Sequence, residues 1–265
     1  MSTPMADKLR NTSVQPTGEE RVLRGRRGVT GYLFMPVVIA IALVLLWLYV
    51  HGQTLDSIER HRLNTHSIVH DTERHVQLTA VSTLLVLIIA IPLGIVLTRS
   101  FARLITPGTI AVFNVGQAIP SIGLLALLAV GWDIGFWPVI VALVAYTTLP
   151  VLRNTMVGLT QVDESVIESA RGMGMTKMAV LVRIELPLAV PIIMAGLRTA
   201  LIINVGTAAL APFVGGGGLG ELIVAGITQN RNLITLTGGV LVAALALLID
   251  YLAGLAEDVV RPKGL

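Results

Sequence analysis

Long stretches of the chain contain no Asp, Glu, Lys or Arg: residues 28–55, 75–98, 104–132, 134–152, 199–220 and 232–249. About 20 mainly apolar residues cross roughly 30 Å of hydrocarbon as a helix, and these windows reach or approach that length repeatedly. Backbone groups in lipid must bond to one another, which favours helices. The alternating pattern of a barrel strand is absent. The pattern predicts an all-α membrane protein of about six transmembrane helices, near 33–50, 77–98, 108–131, 135–153, 188–206 and 235–256. A further apolar stretch, 207–228, holds Pro212 and the glycine run 215–218. Glycine costs a helix about 1 kcal/mol per residue relative to alanine, so this stretch is expected to be a broken, partly re-entrant segment lying against protein.

Composition strengthens the membrane reading: 54% of residues are hydrophobic and 13% charged, whereas soluble domains carry roughly 25% charge. Absence of cysteine excludes disulfides and thiolate metal sites. The net charge of +3 flanks the spans instead of forming a basic face, which argues against a nucleic-acid partner. The first apolar run, 33–50, is too long for a signal peptide core of roughly 7–15 residues and lacks a cleavage site, so it reads as a retained helix. With the N-terminus inside, 14 Lys and Arg residues fall on the cytoplasmic side and 4 outside (Arg60, Arg62, Arg74 and Arg231). That bias predicts both termini in the cytoplasm. The expected organisation is a cytoplasmic basic tail (1–30), an additional N-terminal transmembrane helix (31–50), an external amphipathic segment (51–75), a transmembrane domain (76–256) containing a cytoplasmic loop (154–187), and a cytoplasmic tail (257–265).

That loop predicts two short helices. Asp163 is suited to cap the first, about 164–171, and Gly172 and Gly174 to end it in left-handed conformations. Thr176 is suited to cap the second, about 177–186, which Pro187 is expected to stop. Within the loop stands Glu168-Ser169-Ala170, then three residues, Gly174, nine residues, Ile184, one residue, Leu186 and Pro187. This spacing resembles the EAA motif of ABC importer permeases, with Ser169 in place of the central alanine. His75 to Ser82, Ile91 to Gly94, Gln117 to Ser121, Leu149 to Thr155, Asn204 to Thr207 and Gly217 to Ile223 add a resemblance to the glycine betaine/choline/carnitine/proline family of osmoprotectant permeases, over roughly 70–256.

The resemblance implies a MetI-like type I ABC importer permease core of five helices, preceded by the extra N-terminal one. It implies that Glu168, Ser169, Ala170, Gly174, Ile184, Leu186 and Pro187 engage two copies of an ABC ATPase, which would bind ATP and Mg. It also implies a second permease subunit (the same chain or a paralogue), an extracytoplasmic solute-binding protein, and a place in the bacterial plasma membrane. The nearest rivals are an importer for another small solute, such as an amino acid, and an ion-coupled secondary transporter. The latter calls for intramembrane carboxylate networks or inverted repeats, which the sequence does not display.

Gly215, Gly217 and Gly220 form G-x-G-x-x-G, but without the strand and helix of a dinucleotide fold. The resemblance makes Gly217, Gly218 and Gly220 an external gate; a tight helix crossing enabled by small residues is the competing reading. No G-x-x-x-x-G-K-[ST] occurs, so no phosphate cradle is expected here and no cofactor is assigned to this chain. No catalytic motif is found either, and the chain reads as a non-catalytic transport subunit. Polar residues inside spans are expensive. Asn114, Gln117 and Asn204 are the candidates for lining a translocation path, and Arg198 and Asp250 for an interhelical pair. His51, His61, His66, His70 and His75 are read as a wet helical face, and no metal site is assigned. Aromatics make up 5% of the chain and are scattered, so a cage for a quaternary ammonium is expected on the binding protein.

Overall fold

The computed structural model describes residues 29–260. The basic tail assigned to 1–30 therefore lies outside the described residues up to residue 28, as does the end of the terminal tail from 261. The described chain is helical: α1 (Val29–His51), α2 (Ser57–Arg62), α3 (Thr65–Leu97), α4 (Thr106–Ala118), α5 (Ser121–Gly131), α6 (Phe136–Thr160), α7 (Glu164–Gly172), α8 (Lys177–Val180), α9 (Leu186–Ala208), α10 (Gly220–Thr228) and α11 (Asn232–Val260). Five helices are long and apolar enough to cross a bilayer, or six if the bent pair α4–α5 makes one span.

Helices α3, α6 and α9 form the centre. Helices α4 and α5 pack on α6, and α11 packs on α9 with α10 and α1 against it. Leu78, Leu125, Val139, Ile140 and Leu143 fill the core at one end of this centre, and Val86, Val151, Leu152 and Ala200 continue it. Close approach requires small residues. A Cβ on Gly196 of α9 would lie 2.5 Å from Asn154 Cβ of α6, and one on Gly94 of α3 would lie 2.7 Å from Thr155 Cγ2.

Three sequence expectations change. The segment 108–131 is not one straight span but two helices bent by 96°. Ile119 is extended, at φ −69 and ψ 130, because the ring of Pro120 disfavours a helical residue before it. The span expected at 77–98 starts earlier: the helix expected to lead into it is continuous with it from Thr65, making one 33-residue rod. Pro187 does not end the second loop helix. Residues Lys177–Ala208 run as one 32-residue helix, with a π-helical turn at Leu181–Glu185 just before the proline. Leu186 N–H bonds back to Leu181, and the widened turn accommodates a residue that has no N–H to give.

Candidate functional site

At one end of the bundle, residues 161–185 form a polar helical hairpin. Asp163 caps α7 by accepting from Ser165 N–H at 2.8 Å, and Thr176 caps α8 by accepting from Ala179 N–H at 3.2 Å. The Ser165 hydroxyl and N–H beside the exposed Asp163 carboxyl hold it below the usual carboxylate range. Gly174 takes φ +88 between the helices; Gly172 stays helical. Glu168, Ser169 and Gly174 are exposed, while Ala170 faces inward at 1% exposure. Ile184, Leu186 and Pro187 are half-buried where the hairpin enters α9. Val166, Met173, Met178 and Val182 add exposed apolar surface to the same hairpin. A hairpin that exposes both a carboxylate and apolar side chains suits protein contact.

The hairpin is tied to the bundle by Glu185, which occupies the motif's unspecified position between Ile184 and Leu186. Its carboxylate accepts from Arg99 Nη2 at 2.6 Å, with the Glu185 side chain 7% exposed. Arg99 follows the end of α3, so the hairpin is clamped to α3 as well as continuous with α9. The rod Lys177–Ala208 is roughly 48 Å long at about 1.5 Å per residue. Along it, Arg198 bonds Asp250 of α11 through two hydrogen bonds, at 2.9 and 3.0 Å, with Glu257 at 3.5 Å. This is the interhelical pair anticipated from the sequence. The Asn204 amide donates to Ser82 Oγ at 2.7 Å, Thr83 Oγ1 at 2.9 Å and Thr79 O at 3.3 Å on α3.

Asn204 is 0% exposed, so it is a clamp between α9 and α3 with no face toward open space. Gln117 and Asn114 also stitch helices. Gln117 Nε2 donates to Tyr146 O at 2.7 Å, the carbonyl whose helical partner four residues on is Pro150, a residue without an N–H. Asn114 accepts from Arg153 at 2.8 Å. The three residues expected on a path thus fix the helices that would border it.

At the opposite end lies the glycine segment. Gly215, Gly217 and Gly218 have φ of +71, +77 and +97, conformations that suit glycine. A Cβ on Gly220 would meet Ala209 O at 2.0 Å, so this glycine serves close packing. The segment and the polar part of α3 enclose an open cavity of about 910 Å³ lined by Arg62, His66, His70, Asp71, Arg74 and Glu221, among others. His66 and His70 face this cavity. His75 breaks the wet-face expectation: it is 0% exposed and its Nε2 donates to Val205 O at 3.0 Å. That carbonyl belongs to the last turn of α9, where helical donors run out. Sequence reading missed both His75 and Arg99–Glu185, since each depends on a partner more than 80 residues away. No group of three or more His, Cys, Asp or Glu able to hold a metal occurs among the described residues.

Residues 90–262 match the family model described as "Binding-protein-dependent transport system inner membrane component". The chain is 40% identical over 202 residues to the glycine betaine/carnitine/choline transport system permease protein OpuCB of Bacillus subtilis (strain 168), covering 76% of this chain and 92% of that one. It is 39% identical over 206 residues to the carnitine transport permease protein OpuCD of Listeria monocytogenes, covering 77% and 92%. Against the osmoprotectant import permease protein OsmY of Salmonella typhimurium it is 39% identical over 212 residues, covering 80% and 89%. Among solved structures, a chain of the inward-facing MetNI methionine ABC transporter superposes with a TM-score of 0.65 at 26% identity, covering 74% of this chain and 96% of that one.

Proposed function

The chain belongs to the family of binding-protein-dependent transport system inner membrane components, and on that premise we propose that it is the membrane subunit of an ATP-driven importer of osmoprotectants of the glycine betaine, choline or carnitine type. The observation that carries the proposal is the hairpin of residues 161–185, which presents the exposed Glu168 on α7 and whose second arm, from Lys177, is continuous with α9. Relatives named for these solutes are 37–40% identical, whereas the methionine transporter chain is 26% identical; this favours a quaternary ammonium cargo over an amino acid. In this reading the hairpin lies in the cytoplasm, both termini are inside the plasma membrane, and two ATPase subunits dock on the hairpins of two permease subunits. ATP and Mg belong to the ATPase, and an extracytoplasmic binding protein delivers the solute.

The mechanism follows from rigidity. A push on α7 passes through the turn at Gly174 into α8, which runs on without a break into α9. It then reaches α3 through Asn204 and α11 through Arg198–Asp250. The far end of α9 leads into the segment 215–218, the proposed external gate. Asn114, Gln117 and Asn204 act by holding the walls of the path in register.

Gentle extraction of a tagged chain from native membranes, with mass spectrometry of what co-purifies, tests the class. An ABC ATPase in about equal amount is the expected companion. Glu168→Arg should insert normally but lose both the ATPase and solute uptake, because it reverses the exposed charge at the contact. Normal uptake by Glu168→Arg would remove the coupling role.

A further inference from the structure

We propose that Arg74 is the latch that holds the glycine segment 215–218 down on the core, and that its release lets the segment lift. The proposal rests on the reading of this segment as a gate. Four observations place the latch. First, Arg74 Nε donates to Gly216 O at 3.0 Å, and its guanidinium lies 4.5 Å from the centroid of the Phe136 ring. Arg74 Nη1 also donates to Gln77 Oε1 at 2.8 Å, which fixes the side chain along α3. Second, the upstream end of the segment is pinned by backbone alone, Gly135 N–H donating to Val214 O at 2.7 Å. In the middle of the segment Gly216 N–H donates to Ala211 O at 2.9 Å, and Arg74 is its side-chain partner among the described residues.

Third, the segment is seated directly on the core. A Cβ on Gly216 would lie 2.7 Å from Val139 Cγ2, one on Gly217 would lie 3.2 Å from Arg74 Cγ, and one on Gly218 would lie 3.3 Å from His75. Val139 itself is 0% exposed. Fourth, Arg74 and the segment both border the open cavity of about 910 Å³, so there is room to move once the side-chain bond is broken. The neighbouring His75 holds the end of α9 through Val205. One helical turn of α3 therefore grips both the segment and the rod that leads to it. A shift of α9 against α3 acts on this turn first.

The protein lacks cysteine, so Val139→Cys supplies a single thiol beneath the latch. In intact cells, its labelling by a membrane-impermeant maleimide should be slow with Arg74 in place. It should be about tenfold faster in Arg74→Ala, the factor set by losing one charge-assisted hydrogen bond. Arg74→Lys should fall between, because lysine keeps the charge but not the planar donor that stacks on a ring. Glu73→Ala, on the exposed face beside it, should label like the parent. An Arg74→Ala rate equal to the parent's overturns the proposal. So does an equal acceleration at a second buried thiol, Val86→Cys, which would report general loosening. Uptake of glycine betaine and ATP hydrolysis are followed in the same cells and vesicles. Uptake lost while hydrolysis persists supports both latch and gate. Unchanged uptake with faster labelling keeps the latch and retires the gate.

Discussion

The pair Arg99–Glu185 yields an ordered set of stabilities that a surface ion pair would not. Its 2.6 Å bond joins a side chain 7% exposed to one 35% exposed. A hydrogen bond to a charged group contributes about 1.5–3 kcal/mol, and a fully exposed pair about 0.2–1 kcal/mol. With one partner reaching solvent, the pair falls between, at about 1–2 kcal/mol. The two truncations are unequal. Arg99→Ala strands a buried carboxylate and should cost about 2–3 kcal/mol, discounted from the roughly 3–5 of a fully buried pair. Glu185→Ala leaves an arginine that regains solvent by snorkelling and should cost about 1 kcal/mol. The double change Arg99→Met with Glu185→Leu should recover most of the stability, because an apolar pair bears no desolvation penalty. Thermal or denaturant unfolding in detergent or nanodiscs, arranged as a double-mutant cycle, measures these terms. A coupling within error of zero, or Glu185→Ala costing more than Arg99→Ala, refutes the reasoning. If the hairpin also drives α3, transport by the apolar double variant should fall further than its stability does.

Three other outcomes are expected. Gly196→Ala should destabilise by about 1–3 kcal/mol through overpacking against Asn154, while Gly206→Ala, with nothing within 4 Å of its Cβ, should be neutral or mildly stabilising in the same melts. Asn204→Val should cost about 1–2 kcal/mol, since interhelical bonds in membranes contribute about 0.6 kcal/mol each on average and at most about 1.7; Ser82 retains its bond to Leu78 O at 2.7 Å. Asn204→Asp should cost more, and equal melts for the two would remove the clamp. Asp163 has its carboxyl depressed by Ser165, so its cap on α7 is present above the ordinary aspartate range and lost as pH falls through the lower folded value. Protection of the amides of residues 165–167, taken against their intrinsic exchange rate at each pH, should accordingly fall in acid for the parent, and be low already at neutral pH for Asp163→Ala.

Much of the architecture could be read from charge-free windows, because a bilayer tests length and hydropathy and little else. The hairpin was equally legible: Asp163, Gly174 and Thr176 act within four residues of themselves, and such local chemistry survives without knowledge of the fold. What escaped reading depends on distance or on compensation. His75 resembles its neighbours His66 and His70 in sequence, yet it is buried because the end of α9 arrives 130 residues later. Gln117 offers no nearby partner in sequence; the one it finds is the Tyr146 carbonyl, left without a helical donor by Pro150. Pro120 and Pro187 carry the same covalent constraint. One bends the chain by 96°, whereas the other is absorbed by a turn placed just before it. The sequence displays the constraint but not the compensation.

The π turn at Leu181–Glu185 also acts as a phase adjuster. Each residue of an α-helix turns the next by about 100°, so one extra residue in a turn resets the azimuth of everything beyond it. Downstream, Arg198 and Asn204 aim at α11 and α3; upstream, Glu168 aims away from the bundle. Removing a single residue from this turn would leave each helix intact and every contacting side chain present, yet point the rod's grips at the wrong neighbours. In this protein the gearing between the two ends is set by a count of residues rather than by their chemistry.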